Sequence, residues 1–374
     1  MVNVLSIVSY KILPPKFGGQ KGIALFNENL SRHQHLICYT ITGNNPSEAS
    51  YEVINEMGTG KFRYINPGYF FTLRRIISDR KITCLVLEHP YLGWLGLLLR
   101  RFCGIKLVVH THNIESERFR STGKWWWKML WRYERHTLRS ANMVFCISES
   151  DREYFISKYG VKPERSAVIT YGISWNLCPA ALERMVARKE LMKIHQLGIE
   201  THLFLFNGAL DYGPNLKAVM HIVKDILPEF IGFGMDFRIL ICGKNLPDEV
   251  KALLEQQEMC IYAGFVEDIN IYFKGADVFI NPITDGGGIK TKLVEALGSN
   301  LNCVSTANGA IGVDPAICNG KLLVSEEGNW ADFARKMEES VHIQNSIGKS
   351  FFDHFYWDNI AKKAGSLIEA LSTA

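Results

Sequence analysis

Short apolar runs bounded by turn residues alternate with stretches of helical periodicity along most of the chain. VNVLSIVS (2–9) is almost unbroken apolar, the pattern of a strand buried on both faces. A proline-rich turn and Gly18-Gly19 follow, then a helical pattern to about Arg32, then HLICYTIT (35–42) as a second strand. KFRYIN (61–66) and ITCLVLEHP (82–90) read as further strands around a helical FFTLRRIISDR. YLGWLGLLLRRF reads as a helix with an apolar face, IKLVVHTHN (105–113) as a strand ending in two histidines, and GKWWWKMLWRYERHTLRS (123–140) as a basic, Trp-rich helix. ANMVFCIS and SAVITYGIS read as the last strands of this half. Between about 174 and 200 the periodicity weakens into a charged helical connector. A second alternating set then begins, with strands predicted at 202–210, 236–244, 259–265, 276–283, 301–306 and 321–325, and an amphipathic helix at the C-terminus. Strands and helices alternating at this spacing predict two successive α/β domains, each a doubly wound parallel sheet, with a cleft between them and ligand contacts at the C-terminal ends of the strands.

Composition adds limits. The 374 residues are 47% hydrophobic and 21% charged, enough for two domains with full cores. The net charge of +4 is too mild to imply a nucleic-acid partner. Nine cysteines are scattered, odd in number and without a Cys-x-x-Cys pair; several sit in apolar runs such as TCLVL and MVFCI. They read as buried free thiols in a reducing cytoplasm, not as a disulfide framework or a zinc site. The first residues carry no basic n-region or small-residue cleavage site, and no apolar run reaches the ~18–20 residues of a membrane span.

Chemistry concentrates in PITDGGGIKTKLVEALGSNLNCVST (282–306), which reads as strand, glycine turn, helix and strand. Consecutive glycines at a helix start let backbone N–H groups approach an anion, and the helix dipole favours negative charge there. Lys290 and Lys292 follow, and Glu295 comes about one turn after Lys292. Cations for phosphate and an acid for hydroxyls together suit a nucleotide-sugar.

Taken with HNIES (112–116), FCISESDREYF (145–155), VITYGIS (168–174), LFNGALDYGPNLKAV (205–219) and YAGFVEDINIYFKGADVFINPI (262–283), the chain resembles a GT-B glycosyltransferase of the retaining, nucleotide-sugar-dependent family 4 nearly end to end. The resemblance implies an acceptor-side Rossmann-like domain at 1–175, with the last helix (356–374) packing back on it, and a donor domain at 176–355. It implies catalytic roles for His112, near the reacting sugar, and for Glu295, the second acid of a Glu-x7-Glu motif that holds sugar or ribose hydroxyls. It places Gly18, Gly19, Gly286, Gly287, Gly288, Lys290 and Lys292 around the donor, and Val266 to Ile269 beside the base. From its own place after a strand and Gly243, Lys244 is a further donor candidate, and Asn207 and Gly208, which end a strand at the cleft, either touch the donor or simply make the turn. The first acid of the motif is Gly287 here, and the usual Gly-Arg…Lys phosphate clamp reads Gly208-Ala209. Asp285 can substitute for that acid, and Lys290 with Lys292 for the lost cations.

No Asp-x-Asp occurs, so no divalent metal and no other cofactor is expected. His110, two residues before His112, shares its strand face and leaves a two-His metal site conceivable, but no third ligand is evident in the sequence. Glu115 and Glu117 are candidates to face the acceptor. Trp94, Arg100-Arg101 and KWWWKMLWR (124–132) suit an anionic membrane surface, hence peripheral contact at the inner face through 92–132 and a glycan or lipid-linked acceptor. The same tryptophans equally suit packing into the first domain or a dimer contact. Two other functions fit the fold: a sugar-nucleotide epimerase, which needs more acids and histidines than the sequence brings together, and a non-catalytic nucleotide-sugar-binding partner, suggested by the lost acid.

Overall fold

The computed structural model describes residues 1–15 and 18–373. The chain divides into two compact units, Met1–Ser174 with Phe355–Ala374, and Trp175–His354. Among the described residues no helix is long and apolar enough to cross a membrane, and all nine cysteines are free.

The first unit is built on a parallel sheet in the order β3-β2-β1-β4-β5-β6-β7. Its strands are β1 (Asn3–Val8), β2 (His35–Ile41), β3 (Glu52–Met57), β4 (Cys84–Glu88), β5 (Lys106–His110), β6 (Met143–Cys146) and β7 (Ser166–Val168). The central ones are buried along their whole length, as their continuous apolar runs predict. Helices α1 (Gly18–Leu30), α2 (Gly68–Asp79), α3 (Gly93–Cys103), α4 (Glu115–Ser121) and α5 (Trp127–Ser140) connect them. The C-terminal helix Trp357–Thr373 packs on α1. His33 meets Asp358 at 3.0 Å, and Gln34 donates to Glu369 at 3.2 Å.

Two strand assignments change. KFRYIN is not a strand: Lys61–Tyr64 is a short 3-10 helix, and EVINEM supplies β3 instead. The apolar residues that suggest a strand point outward, Phe62 being 80% and Ile65 68% exposed, and Pro67 cannot continue a ladder. SAVITYGIS pairs in the sheet only over its first three residues, and Ile173 bridges Tyr356 instead. The proline-rich turn before Gly18 falls partly on Lys16 and Phe17, outside the described residues.

The second unit repeats the plan with six parallel strands in the order β10-β9-β8-β11-β12-β13. They are β8 (His202–Asn207), β9 (Phe237–Cys242), β10 (Cys260–Gly264), β11 (Val278–Asn281), β12 (Asn302–Thr306) and β13 (Leu322–Ser325). In both orders the chain reverses direction across the sheet, next to β1 and β4 in one unit and β8 and β11 in the other. In open parallel sheets ligands bind beyond the strand C-termini at this switch point.

Candidate active site

At the switch point of the first unit, β4 and β5 end side by side, with Glu88 in register with His110. His112 comes two residues later. Glu88 is 2% exposed, and its Oε2 lies 2.6 Å from His112 Nε2 and 3.1 Å from His110 Nδ1. Burial pushes Glu88 up, but His110 and His112 outweigh it and hold the carboxyl at about 2. Burial pushes His112 down to about 3, helped by His110 and opposed by the bond to Glu88, so the imidazole is neutral at pH 7.

The next residue, His89, has φ +72°, a conformation costing a non-glycine residue ~1–3 kcal/mol and concentrated at functional sites. Its Nε2 meets Tyr10 Oη at 2.8 Å, its Nδ1 lies 3.2 Å from Glu115, and its ring stacks on Tyr91. Glu115 is fully buried. Burial raises it, but His89, Arg118 and a hydrogen bond from Tyr91 hold it at about 2. Arg118 donates to Glu115 through Nε at 2.9 Å and Nη2 at 2.6 Å. Glu134, on α5, accepts the N–H groups of Glu115 and Ser116, both at 3.0 Å, and the Tyr159 hydroxyl at 2.7 Å. Burial lifts it to about 7 against those bonds.

The structure thus supplies the third ligand type that the sequence left missing. Glu88, His110 and His112 offer atoms within 4.8 Å of one another. The 2.6 Å between Glu88 and His112 is a hydrogen-bond distance. Two tetrahedral ligands ~2.0–2.1 Å from one zinc ion stand about 3.3 Å apart, so this spacing fits a shared proton better than a shared ion.

In the second unit glycines stand at the strand ends of the switch point, with partly exposed charged side chains around them. Gly208 follows Asn207 at the end of β8, and its N–H bonds Cys242 O at 3.1 Å. A Cβ on Gly243, after β9, would sit 2.0 Å from Gly208 O, so these strand ends approach as closely as backbone allows. Lys244 follows, its carbonyl accepting from Leu210 N at 3.1 Å. After β11 the chain passes through Asp285 to Gly286 (φ +88°) and Gly288 (φ +72°), conformations that favour glycine.

The three glycines do not form the helix start, as the sequence suggests. The helix begins at Thr291 with Lys290 as its cap. Lys290 Nζ folds back on the carbonyls of Gly286 and Gly288, at 2.8 and 3.0 Å. Lys292 Nζ meets Glu295 Oε2 at 2.7 Å, and Asp285 pairs with Lys217. Asn207, Gly208, Lys244, Asp285, Gly286, Gly287, Gly288, Lys290, Lys292 and Glu295 all lie in this unit, whereas Gly18, Gly19 and His112 lie in the first. Gly18 and Gly19 open α1 rather than forming a separate turn.

Other candidates are used differently from the sequence reading. Glu115 is interior, not an exposed acceptor contact, and Glu117 pairs with Arg120 at 3.2 Å. Trp94 donates to Tyr64 O at 2.7 Å and packs on the core. Of the tryptophans in 124–132, Trp131 packs edge-on to Tyr159 and only Trp125, at 84%, is largely exposed. Glu88, His89 and Tyr10 escape the sequence reading; an acid at the end of an apolar strand, ITCLVLEHP, is the signal that could have marked the first.

Residues 28–175 match the family model Glycosyltransferase Family 4, and residues 201–342 match Glycosyl transferases group 1. An uncharacterized glycosyltransferase of Methanocaldococcus jannaschii is 22% identical, with 96% of each chain covered. Sucrose-phosphate synthase from Thermosynechococcus elongatus has a similar structure, with a TM-score of 0.74 and 16% identity over 100% of both chains. Anabaena HepE, solved in complex with UDP, gives a TM-score of 0.70 and 14% identity over 100% of this chain and 98% of its own. With one family model matching each unit, the chain belongs to the glycosyltransferases of family 4, glycosyl transferases group 1, and has the GT-B fold.

Proposed function

We propose that this protein is a retaining glycosyltransferase, hexosyl-transferring and metal-independent, that moves a sugar from a nucleoside-diphosphate sugar to a hydroxyl of a glycan or lipid-linked acceptor. The observation that carries this is the start of the helix Thr291–Gly298, where Lys290 and Lys292 stand with no acidic residue in the first turn. A helix dipole disfavours cations at this end; a diphosphate repays them. The carbon–oxygen bond to the diphosphate breaks, the acceptor oxygen bonds to the same carbon on the same face, and the acceptor's proton leaves with the departing phosphate oxygen. Lys290, Lys292 and the loop N–H groups face the charge that develops on that leaving group. Glu295 orients hydroxyls, and His112 contacts the transferring sugar. A thermal-shift screen of nucleoside-diphosphate sugars, followed by transfer assays in EDTA, tests the reading; activity abolished by EDTA sinks metal independence.

A cytoplasmic enzyme of polysaccharide or glycolipid synthesis, peripheral to the inner membrane face, fits the surface of the first unit. Residues 58–78, 89–114 and 122–133 contain no Asp or Glu. Phe62, Phe71, Phe102, Trp125 and Met129 are all at least 64% exposed. Aromatic side chains among Lys and Arg suit anionic headgroups. Replacing Trp125 and Met129 by serine lowers the fraction pelleted with anionic vesicles if this surface touches lipid; unchanged pelleting removes it from the account.

The five acids and imidazoles gathered around Glu88 and Glu115 also favour a second reading, sugar-nucleotide epimerisation, more than the sequence does. Incubation with a bound nucleotide-sugar in D2O separates the two. An epimerase places deuterium on the sugar ring, whereas a transferase does not.

A further inference from the structure

His110 and His112 relate differently to the acid between them. His110 is enclosed: Nδ1 lies 3.1 Å from Glu88 Oε2, Nε2 is 3.4 Å from Ile169 O, and the ring packs on Phe26 with centroids 4.7 Å apart. His112 meets Glu88 through Nε2 alone, at 2.6 Å, and 13% of its side chain remains exposed. Its other near neighbours are the rings of His89 and His110, at 4.7 and 4.3 Å between centroids. Among the described residues no further group hydrogen-bonds the His112 ring, so Nδ1 is the nitrogen left for a ligand.

The geometry points to Glu88 as a positioning residue: its carboxylate takes the Nε2–H of His112, fixes the neutral Nε2-protonated tautomer, and leaves Nδ1 as a hydrogen-bond acceptor for a sugar hydroxyl. A neutral imidazole has one donor and one acceptor nitrogen, and a partner at one sets the role of the other. Glutamate does this better than a neutral acceptor, because a charge-assisted hydrogen bond is about twice as strong. A second observation separates this from packing. Glu88 Oε1 is buried and has no hydrogen-bond partner among the described residues. A buried carboxylate so incompletely satisfied is a poor way to fill space, since well-packed apolar residues often replace buried ionic groups without loss. Its cost is understandable where it orients a group that meets substrate.

The role of Glu88 rests on the transferase reading only for what His112 touches, so the test has one arm independent of activity. In the full chain labelled with 15N-histidine, His112 is assigned by the signal lost in His112→Ala. At pH 7 the wild type shows Nε2 protonated and Nδ1 bare; Glu88→Ala shifts His112 to mixed tautomers, while Glu88→Gln, which keeps an acceptor oxygen, retains the wild-type form. With an active donor and acceptor, Glu88→Ala lowers kcat by about 10- to 100-fold, the usual effect of removing an outer-shell partner, with the donor KM within about twofold. Glu88→Gln recovers part of the loss. A wild-type His112 protonated at Nδ1, an unchanged tautomer in Glu88→Ala, or an unchanged kcat overturns the proposal. If Glu88→Ala does not fold, the wild-type and Glu88→Gln spectra decide. The expected tautomers without any sugar transfer leave Glu88 in place and count against the transferase reading instead.

Discussion

The two units share one layered plan and place their candidate residues at the same topological position, yet hold them in opposite ways. In the first, side chains carry the chemistry. Glu88, His89, His110 and Glu115 are buried, and each is locked by another member of the cluster. In the second, backbone carries it: Gly208, Gly243, Gly286 and Gly288 bring main chain to the surface of the site, and the charged groups around them are half-exposed. Those cations are already engaged, Lys290 by loop carbonyls and Lys292 by Glu295. The first unit is preorganised before a ligand arrives. The second must exchange internal bonds for bonds to the ligand, so its affinity is a difference between the two sets.

That contrast breaks most readily at a glycine. Gly243→Ala forces a methyl to 2.0 Å from Gly208 O, and overpacking with backbone strain at such a site costs about 3–5 kcal/mol. Denaturant unfolding measures it, and a loss under about 1 kcal/mol removes the close approach from the account.

A smaller effect tests the first unit. The folded value for Glu134, about 7, lies above its ordinary 4.5. A raised carboxyl contributes stability that is full below pH 4.5 and lost as pH climbs through 7, amounting to about 3 kcal/mol. His112, lowered to about 3, works in the opposite sense, its contribution being full above pH 6.5 and lost on acidification. The stability difference between wild type and Glu134→Gln isolates the first term: it moves against the wild type from pH 5 to 8, and parallel curves contradict it. At the bottom of the scale, Lys217→Ala removes the partner of Asp285 across an exposed pair, and stability changes by less than about 1 kcal/mol.

Much of this was legible from pattern alone. Continuous apolar runs mark the central strands because both faces of a parallel sheet are covered, and the glycine-lysine stretch after β11 stands out by composition. The failures share a cause. KFRYIN has strand-like residues, but Phe62 and Ile65 face outward, which only the third dimension reveals. Glu88 is one acid at a strand end, and its meaning comes from the register that sets it opposite His110 on another strand. Lys290 and Lys292 were identifiable as cations, but their folding back on Gly286, Gly288 and Glu295 depends on φ angles that local sequence does not disclose.

The most direct test of the central claim is calorimetric titration of UDP, GDP and ADP into the wild-type protein and Lys292→Ala. A charge-assisted hydrogen bond contributes ~1.5–3 kcal/mol, so the account predicts that at least one nucleoside diphosphate binds the wild type and binds Lys292→Ala about 10- to 100-fold more weakly. Equal affinity for the two proteins, or no binding of any nucleoside diphosphate to the wild type, would contradict it.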